Sequence, residues 1–357
     1  MTEVDPDING DGIMKASCTG FSLVLACLIF APPGTAQKKP QQPAKKTTFI
    51  DAKEAGPDYE IQGEYTGAFS SGAKLGCQVI ALGNGRFQAV LLPGGLPGDG
   101  WNGADKYLMD GKLDGTRPIF EPAAGKRKYM AGSPKEFSAT AKFPPKGHKE
   151  CSGVLVDRTL SGRCDDGAAF TLKKIVRTSS TSNAKPPDGA LVLFDGTNAS
   201  EWKEGKIADG LLPVAANSKR TFKDFKLHIE FRTPFQPTAR SQGRGNSGVY
   251  LHGKHEIQVL DSFGLEGRSD ECGGFYGRKA PSVNMCYPPL TWQTYDVEFK
   301  SAPADPKSKK QTARVTVLHN GVKIHDNLEF PSGEGPLHLQ NHGNPVFYRN
   351  IWVVELK

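Results

Sequence analysis

Gly243–Asp261 reads GRGNSGVYLHGKHEIQVLD. Its first six residues satisfy G-x-G-x-x-G, the pattern of a dinucleotide-binding turn. That turn works only when a helix follows at once, because the helix N-terminus holds the pyrophosphate. Val249-Tyr250-Leu251 follows instead, a β sequence, and the match is accidental. His255–Ser262 continues with a period of two. Glu256 and Gln258 fall on one face of a strand, Ile257 and Val259 on the other. Two long polar side chains project together while two apolar ones turn to a core, as on the floor of a ligand groove.

Strand signals spread outward from this stretch. Phe225–Phe231, Gly248–His252, Thr291–Phe299, Ala313–Leu318, Val322–Leu328, Leu337–Gln340 and Val346–Leu356 all suit strands, and Asn320-Gly321 is a hairpin turn. Many short strands without crossover helices predict a two-sheet jelly roll over 190–357. Residues 178–189 (TSSTSNAKPPDG) lack apolar periodicity and read as a linker that makes few contacts. Before it, Tyr59–Tyr65, Gln78–Leu82, Arg86–Leu92, Phe137–Phe143, Gly153–Leu160 and Ala169–Val176 suit strands, with a turn at Gly83-Asn84-Gly85. Residues 49–177 therefore predict a smaller β-rich barrel or sandwich that folds on its own. Trp101, on the Gly-rich loop Leu91–Gly103, can stack on a sugar or plug a barrel end. The chain is expected to be all-β, and its 41 glycines and 26 prolines suit short strands joined by turns.

Residues 1–36 read as a secretion signal, with the true start at Met14. Lys15 supplies the positive region, Phe21–Phe30 the apolar run and Gly34-Thr35-Ala36 the cleavage site. That run is too short to span a bilayer, which takes about 20 residues. Asp5, Asp7, Asn9 and Gly10 mimic a calcium loop, but its twelfth position holds Ala16 instead of Glu. Residues 37–48 form a Pro/Lys linker. The net charge of +7 rises to about +10 without the leader, which loses four acids and one base. The bases are dispersed and no aromatic-basic recognition motif occurs, which argues against nucleic acid. An anionic envelope glycan is the partner this charge suits. In an exported chain, Cys151 is expected to pair with Cys164 and Cys272 with Cys286, closing a Gly-rich loop, and Cys77 is the odd thiol.

Glu256 and Asp261 do not make a conventional glycosidase pair. Five residues along a strand span roughly 16 Å, beyond the 6.5–9.5 Å of inverting enzymes, and odd spacing sends them to opposite faces. A glucanase would need a second carboxylate, for which Asp270 and Glu271 are the candidates. His338, Gln340 and His342 share one face at period two, a spacing open to structural hydrogen bonds, a general base or a divalent metal.

Ordered motifs in the second half carry a resemblance. They are Leu193-Phe-Asp-Gly-Thr197 with Trp202, Asn246-Ser-Gly-Val-Tyr250, Glu256-Ile-Gln-Val-Leu-Asp261, Gly274-Phe-Tyr-Gly277, Trp292-Gln-Thr-Tyr-Asp296, Gly335–His342 and Phe347-Tyr-Arg-Asn-Ile351. Together they resemble the 3-keto-disaccharide hydrolase domain family over about 190–357. The resemblance implies a concanavalin-like jelly roll, a substrate that is an oxidised disaccharide or glycoside, and no firm cofactor. It also implies a chemistry that needs no carboxylate pair. A ketone at C3 acidifies the C2 proton, one base removes it, the C1 substituent leaves, and water adds to the enone. Glu256 is the expected base, with His342 or Tyr276 protonating the departing oxygen. Gln258, Asn246, Asp261, Gln340, Arg349 and Trp292 are the candidates for holding the sugar. The alternative is a non-catalytic glycan- or envelope-binding protein on the same jelly roll.

Overall fold

A computed structural model of the protein describes residues 47–309 and 311–357. The expected leader, and the linker after it up to residue 46, lie outside the described residues. Gly63–Phe69 (β1), Lys74–Gly83 (β2), Arg86–Pro93 (β3), Tyr107–Asp114 (β4) and Arg117–Pro122 (β5) form an antiparallel meander. An insertion follows, with Lys128–Tyr129 (β6) paired in parallel to Phe137–Ser138 (β7). Cys151–Val156 (β8), Thr159–Cys164 (β9) and Ala169–Ile175 (β10) complete a barrel that closes where β10 meets β1. Closure leaves no strand edge unpaired. The interior is filled by Tyr65, Val79, Phe87, Met109, Phe120 and Phe170, all buried, which leaves it a packed core. Gly162 is required in that core, since a Cβ there would lie 2.1 Å from the Ser152 carbonyl oxygen.

The second half is a sandwich of two antiparallel sheets. Its elements are Leu191–Phe194 (β11), Trp202–Lys203 (β12), Leu212–Pro213 (β13), Ala216–Phe222 (β14) and Phe225–Arg232 (β15). Ser247–Leu251 (β16), His255–Val259 (β17), Gln293–Ser301 (β18) and Thr312–His319 (β19) follow. Val322–Pro331 (β20), Gly335–Leu339 (β21) and Phe347–Glu355 (β22) complete it. One sheet runs β11-β22-β15-β18-β19-β20, with β13 also on β22, and the other runs β12-β14-β21-β16-β17. The facing sides interdigitate through Phe225, Ile229, Phe231, Tyr295, Val249, Ile257 and Leu339. The chain is thus all-β, with a jelly-roll sandwich behind a smaller barrel.

Three expectations are corrected. Residues 49–177 are not a separate body: Lys46–Lys357 form one compact unit. β2 and β3 are buried on both faces. Cys77, Val79 and Ala81 turn into the barrel, while Ile80, Leu82, Val90 and Leu92 join the core of the sandwich. The 178–189 stretch is no loose linker either, because it lies hydrogen-bonded along β15, β18 and β22. The Ser179 and Thr181 hydroxyls meet that of Thr294 at 2.7 Å, and Thr181 also donates to Asp296 at 2.6 Å. The Asn183 amide donates to Glu230 at 2.5 Å, and Asn350 donates to the Ala184 carbonyl at 3.0 Å. Finally, Tyr59 opens no strand. Gly56, at φ 73°, and Pro57 start a short helix, Pro57–Ile61, where proline suits the first turn.

Cys151 and Cys164 stand opposite each other on β8 and β9, Cα atoms 3.9 Å apart, and are disulfide-bonded. Cys77 is a free, buried thiol. The expected Cys272–Cys286 bond is not formed, and both are buried free thiols. The two thiols are within hydrogen-bonding reach of each other, Cys272 also meets the Tyr295 hydroxyl at 3.2 Å, and Cys286 points to the carbonyls of Leu260 and Tyr287 at 3.5 Å. Their loop is held without a cross-link: Asn284 donates to the Ser262 and Leu265 carbonyls. Trp101 is half-buried, donates to the Asp105 carbonyl at 2.9 Å and packs against the core of the sandwich, not against the residues that fill the barrel.

Candidate active site

The outer face of the five-stranded sheet is built by register. Asn217 pairs with His338, His338 with Tyr250, and Tyr250 with Glu256, so one polar row crosses four strands. Side chains alternate along a strand, so Asn246 and Gly248 join Tyr250 on this face, and Gln258 joins Glu256. The Glu256 carboxylate lies over the bare Cα of Gly248, where a Cβ would come within 2.3 Å of Oε1. Its Oε2 accepts the Tyr250 hydroxyl at 2.8 Å, and that hydroxyl accepts Gln340 Nε2 at 3.0 Å.

Burial raises the Glu256 pKa above the usual carboxylate range, while the Tyr250 hydrogen bond and the charge of His342 pull it back. Burial and the same carboxylate raise the Tyr250 pKa, so Tyr250 remains a donor at neutral pH. A partly desolvated carboxylate with one fixed donor is a competent general base. Burial lowers the pKa of His338, against a backbone hydrogen bond at Ala216, and its ring packs edge-on to Tyr250 at 5.2 Å. His338 is therefore a neutral wall of the site.

A second layer consists of amides. Gln242 Oε1 accepts Gln258 Nε2 at 3.0 Å and Asn246 Nδ2 at 2.9 Å, and Gln242 Nε2 donates to the Asp270 carbonyl at 2.8 Å. Asn246 Oδ1, Gln258 Oε1, Gln340 Oε1 and His338 Nδ1 have no partner among the described residues. Such unmatched polar atoms are rare in protein interiors. Their concentration here marks the site.

Of the candidates read from sequence, Glu256 and Gln340 belong to one hydrogen-bonded set and Gln258 and Asn246 to a second. His342 is near enough for its charge to act on Glu256, and Tyr276 rims the site, half-exposed, its amide donating to the Glu256 carbonyl at 3.1 Å. Three candidates lie elsewhere. Asp261 is buried against Arg244, Oδ2 to Nε 2.7 Å, and Arg244 reaches on to the Ala81 carbonyl at 3.1 Å, so this pair joins sandwich to barrel. Arg349 and Trp292 belong to the outer side of the other sheet. Arg349 pairs there with Glu230 at 2.7 Å and stacks on the Trp292 ring at 4.1 Å. Neither candidate for a second carboxylate turns to Glu256. Glu271 is buried and turned to the Tyr129 hydroxyl and the amides of Gly267 and Arg268. Asp270 meets Arg268 at 3.6 Å. Among the described residues, no group of three or more His, Cys, Asp and Glu could hold a metal ion.

Two site residues escaped the sequence reading. Tyr250 was legible, because the turn at His252-Gly253-Lys254 sets it opposite Glu256. Gln242 sits on a short 3₁₀ turn, Ser241–Gly243, where no periodicity points to it.

A family model described as "3-keto-alpha-glucoside-1,2-lyase-like domain" matches residues 189–354. Solved structures also match, among them three proteins of Parabacteroides distasonis ATCC 8503 that carry the provisional name glycosyl hydrolase. One is 34% identical, covering 48% of this chain and 85% of its own, with a TM-score of 0.43. The others are 19% and 20% identical, cover 48% and 47% of this chain and 95% and 99% of theirs, and have TM-scores of 0.36 and 0.35. No curated protein matches.

Proposed function

Because residues 189–354 belong to the family of 3-keto-alpha-glucoside-1,2-lyase-like domains, a carbohydrate-active family, we propose that this protein is an exported enzyme cleaving 3-keto-glycosides. The observation that carries the reading is the partly desolvated carboxylate of Glu256, fixed over Gly248 by the Tyr250 hydroxyl, with neither Asp270 nor Glu271 turned toward it. Direct glycoside hydrolysis calls for two carboxylates flanking the scissile bond. Elimination calls for one base.

In the proposed reaction Glu256 takes the C2 proton, and the electron pair forms an enolate on the C3 oxygen. The enolate collapses, the C1–oxygen bond breaks, and His342 or Tyr276 protonates the leaving oxygen. Water then adds across C1 and C2, hydroxyl to C1 and proton to C2, which completes a net hydrolysis. The Tyr250 donor favours the ionised form of Glu256 against its burial, and the amides of Gln258, Asn246 and Gln340 offer hydrogen bonds to sugar hydroxyls. The leader at 1–36 and the cationic mature chain support export to a glycan-rich surface. Running the reaction in D₂O tests the order of steps. Elimination followed by hydration places deuterium on C2 of the released sugar, and a product with its original C2 hydrogen contradicts it.

A further inference from the structure

The insertion between β5 and β8 leaves the barrel and reaches the edge of the site. Tyr129 on β6 donates its hydroxyl to Glu271, a carboxylate with no solvent exposure. Glu271 also accepts the amides of Gly267 at 2.7 Å and Arg268 at 3.0 Å, which fixes the turn they form. Nearby contacts reinforce the junction: the Ala141 amide donates to Glu266 at 2.8 Å, and Arg268 lies over the Tyr129 ring at 5.4 Å.

Beyond Glu271 the chain runs directly along β17. The Gly273 amide donates to the Gln258 carbonyl and the Gln258 amide to the Gly274 carbonyl, both at 2.9 Å. The Tyr276 amide completes this edge on the carbonyl of Glu256. On the other side of Glu271, the Asp270 carbonyl holds Gln242 Nε2, and Gln242 holds the side chains of Gln258 and Asn246. Every link is a hydrogen bond except the peptide bond that joins Asp270 to Glu271. A displacement of the turn at 267–271 is therefore passed to two side chains of the sugar site. The matched family domain begins at residue 189, so Tyr129 lies outside it.

We propose that Tyr129 is a positioning residue for the sugar site, acting through Glu271, the Asp270 carbonyl and Gln242 on the side chains of Gln258 and Asn246. The role assigned to that site rests on the proposed function, while the mechanical coupling does not. The barrel is then a structural part of the site.

Tyr129→Phe in the full chain removes one hydroxyl and keeps the ring. Side-chain amide signals of Gln242, Gln258 and Asn246 in ¹H–¹⁵N NMR spectra are expected to shift, with backbone amides of β9 and β10 unmoved. On a 3-keto-glucoside, Tyr129→Phe and Gln242→Met should each raise KM about tenfold and change kcat less than about threefold. The double variant should be no worse than Gln242→Met alone, because the two residues act in one chain. Unmoved side-chain amides in folded Tyr129→Phe overturn the proposal, and so do additive KM effects. If Tyr129→Phe does not fold, Glu271→Gln is read by the same spectra with the same two outcomes. A wild-type protein inactive on 3-keto-sugars counts against the proposed function alone, since the NMR comparison still decides the coupling.

Discussion

The Tyr250 hydroxyl donates to Glu256 Oε2 at 2.8 Å from the strand directly opposite. Burial pushes the Glu256 carboxyl above its ordinary range, and this donor is the first force holding it down. The base form exists above the pKa, so the acid limb of kcat should lie higher than that of an exposed glutamate. Tyr250→Phe removes the counterweight. Its acid limb should move to still higher pH, with kcat lowered about 10- to 100-fold at neutral pH. A limb that stays in place in the variant means that Tyr250 does not tune the base.

Gly248 has ordinary backbone angles, so alanine is tolerated there by the main chain. Its methyl would come within 2.3 Å of Glu256 Oε1 and must turn the carboxylate away. Gly248→Ala should therefore keep its melting temperature within a few degrees and lose about 100-fold in turnover. Full activity would show that the carboxylate works from another position.

The buried Arg244–Asp261 pair joins sandwich to barrel through the Ala81 carbonyl and Gln62 Oε1. Asp261→Ala strands a buried guanidinium and should cost about 3–5 kcal/mol in urea unfolding. The shared core also predicts one cooperative transition for residues 46–357, followed by tryptophan fluorescence and far-UV circular dichroism together. Two separate transitions would mean that barrel and sandwich unfold independently.

Glu230 is fully buried. Although burial works against its charge, hydrogen bonds from His228, Asn350, Arg349 and the Asn183 amide hold its carboxyl down at about 2, against an ordinary 4.5. The folded state therefore binds fewer protons than the unfolded one between these values. The stability Glu230 contributes is complete above pH 4.5 and lost as pH falls toward about 2, in total about 3 kcal/mol. Glu230→Gln should lose that share of the acid dependence. An unchanged slope in that window would place the acid-sensitive groups elsewhere.

Much of this was legible in the sequence, and the rest has physical reasons. Period-two alternation placed Glu256 with Gln258 and ruled out the helix that the glycine pattern of 243–248 would need. Parity cannot say which sheet a strand joins, so Arg349 and Trp292 were assigned to a groove on the wrong side of the sandwich. Asp261 entered the candidates through its motif alone, although its odd spacing from Glu256 already sent it to the opposite face, and it is buried there against Arg244. Residues 178–189 look like a linker because their hydrogen bonds are polar and carry no apolar period. Tyr129 and Glu271 lie 142 positions apart, and only the closed barrel and its insertion bring them together.

The most direct test of the central claim compares a 3-keto-disaccharide with its unoxidised parent, using wild type and Glu256→Gln. The glutamine keeps the shape and the Tyr250 contact but cannot take a proton. Wild type should cleave the 3-keto-sugar and leave the parent intact, and folded Glu256→Gln should lose at least about 100-fold on the 3-keto-sugar. Near-wild-type turnover by the folded variant, or equal cleavage of the parent by wild type, would contradict the account.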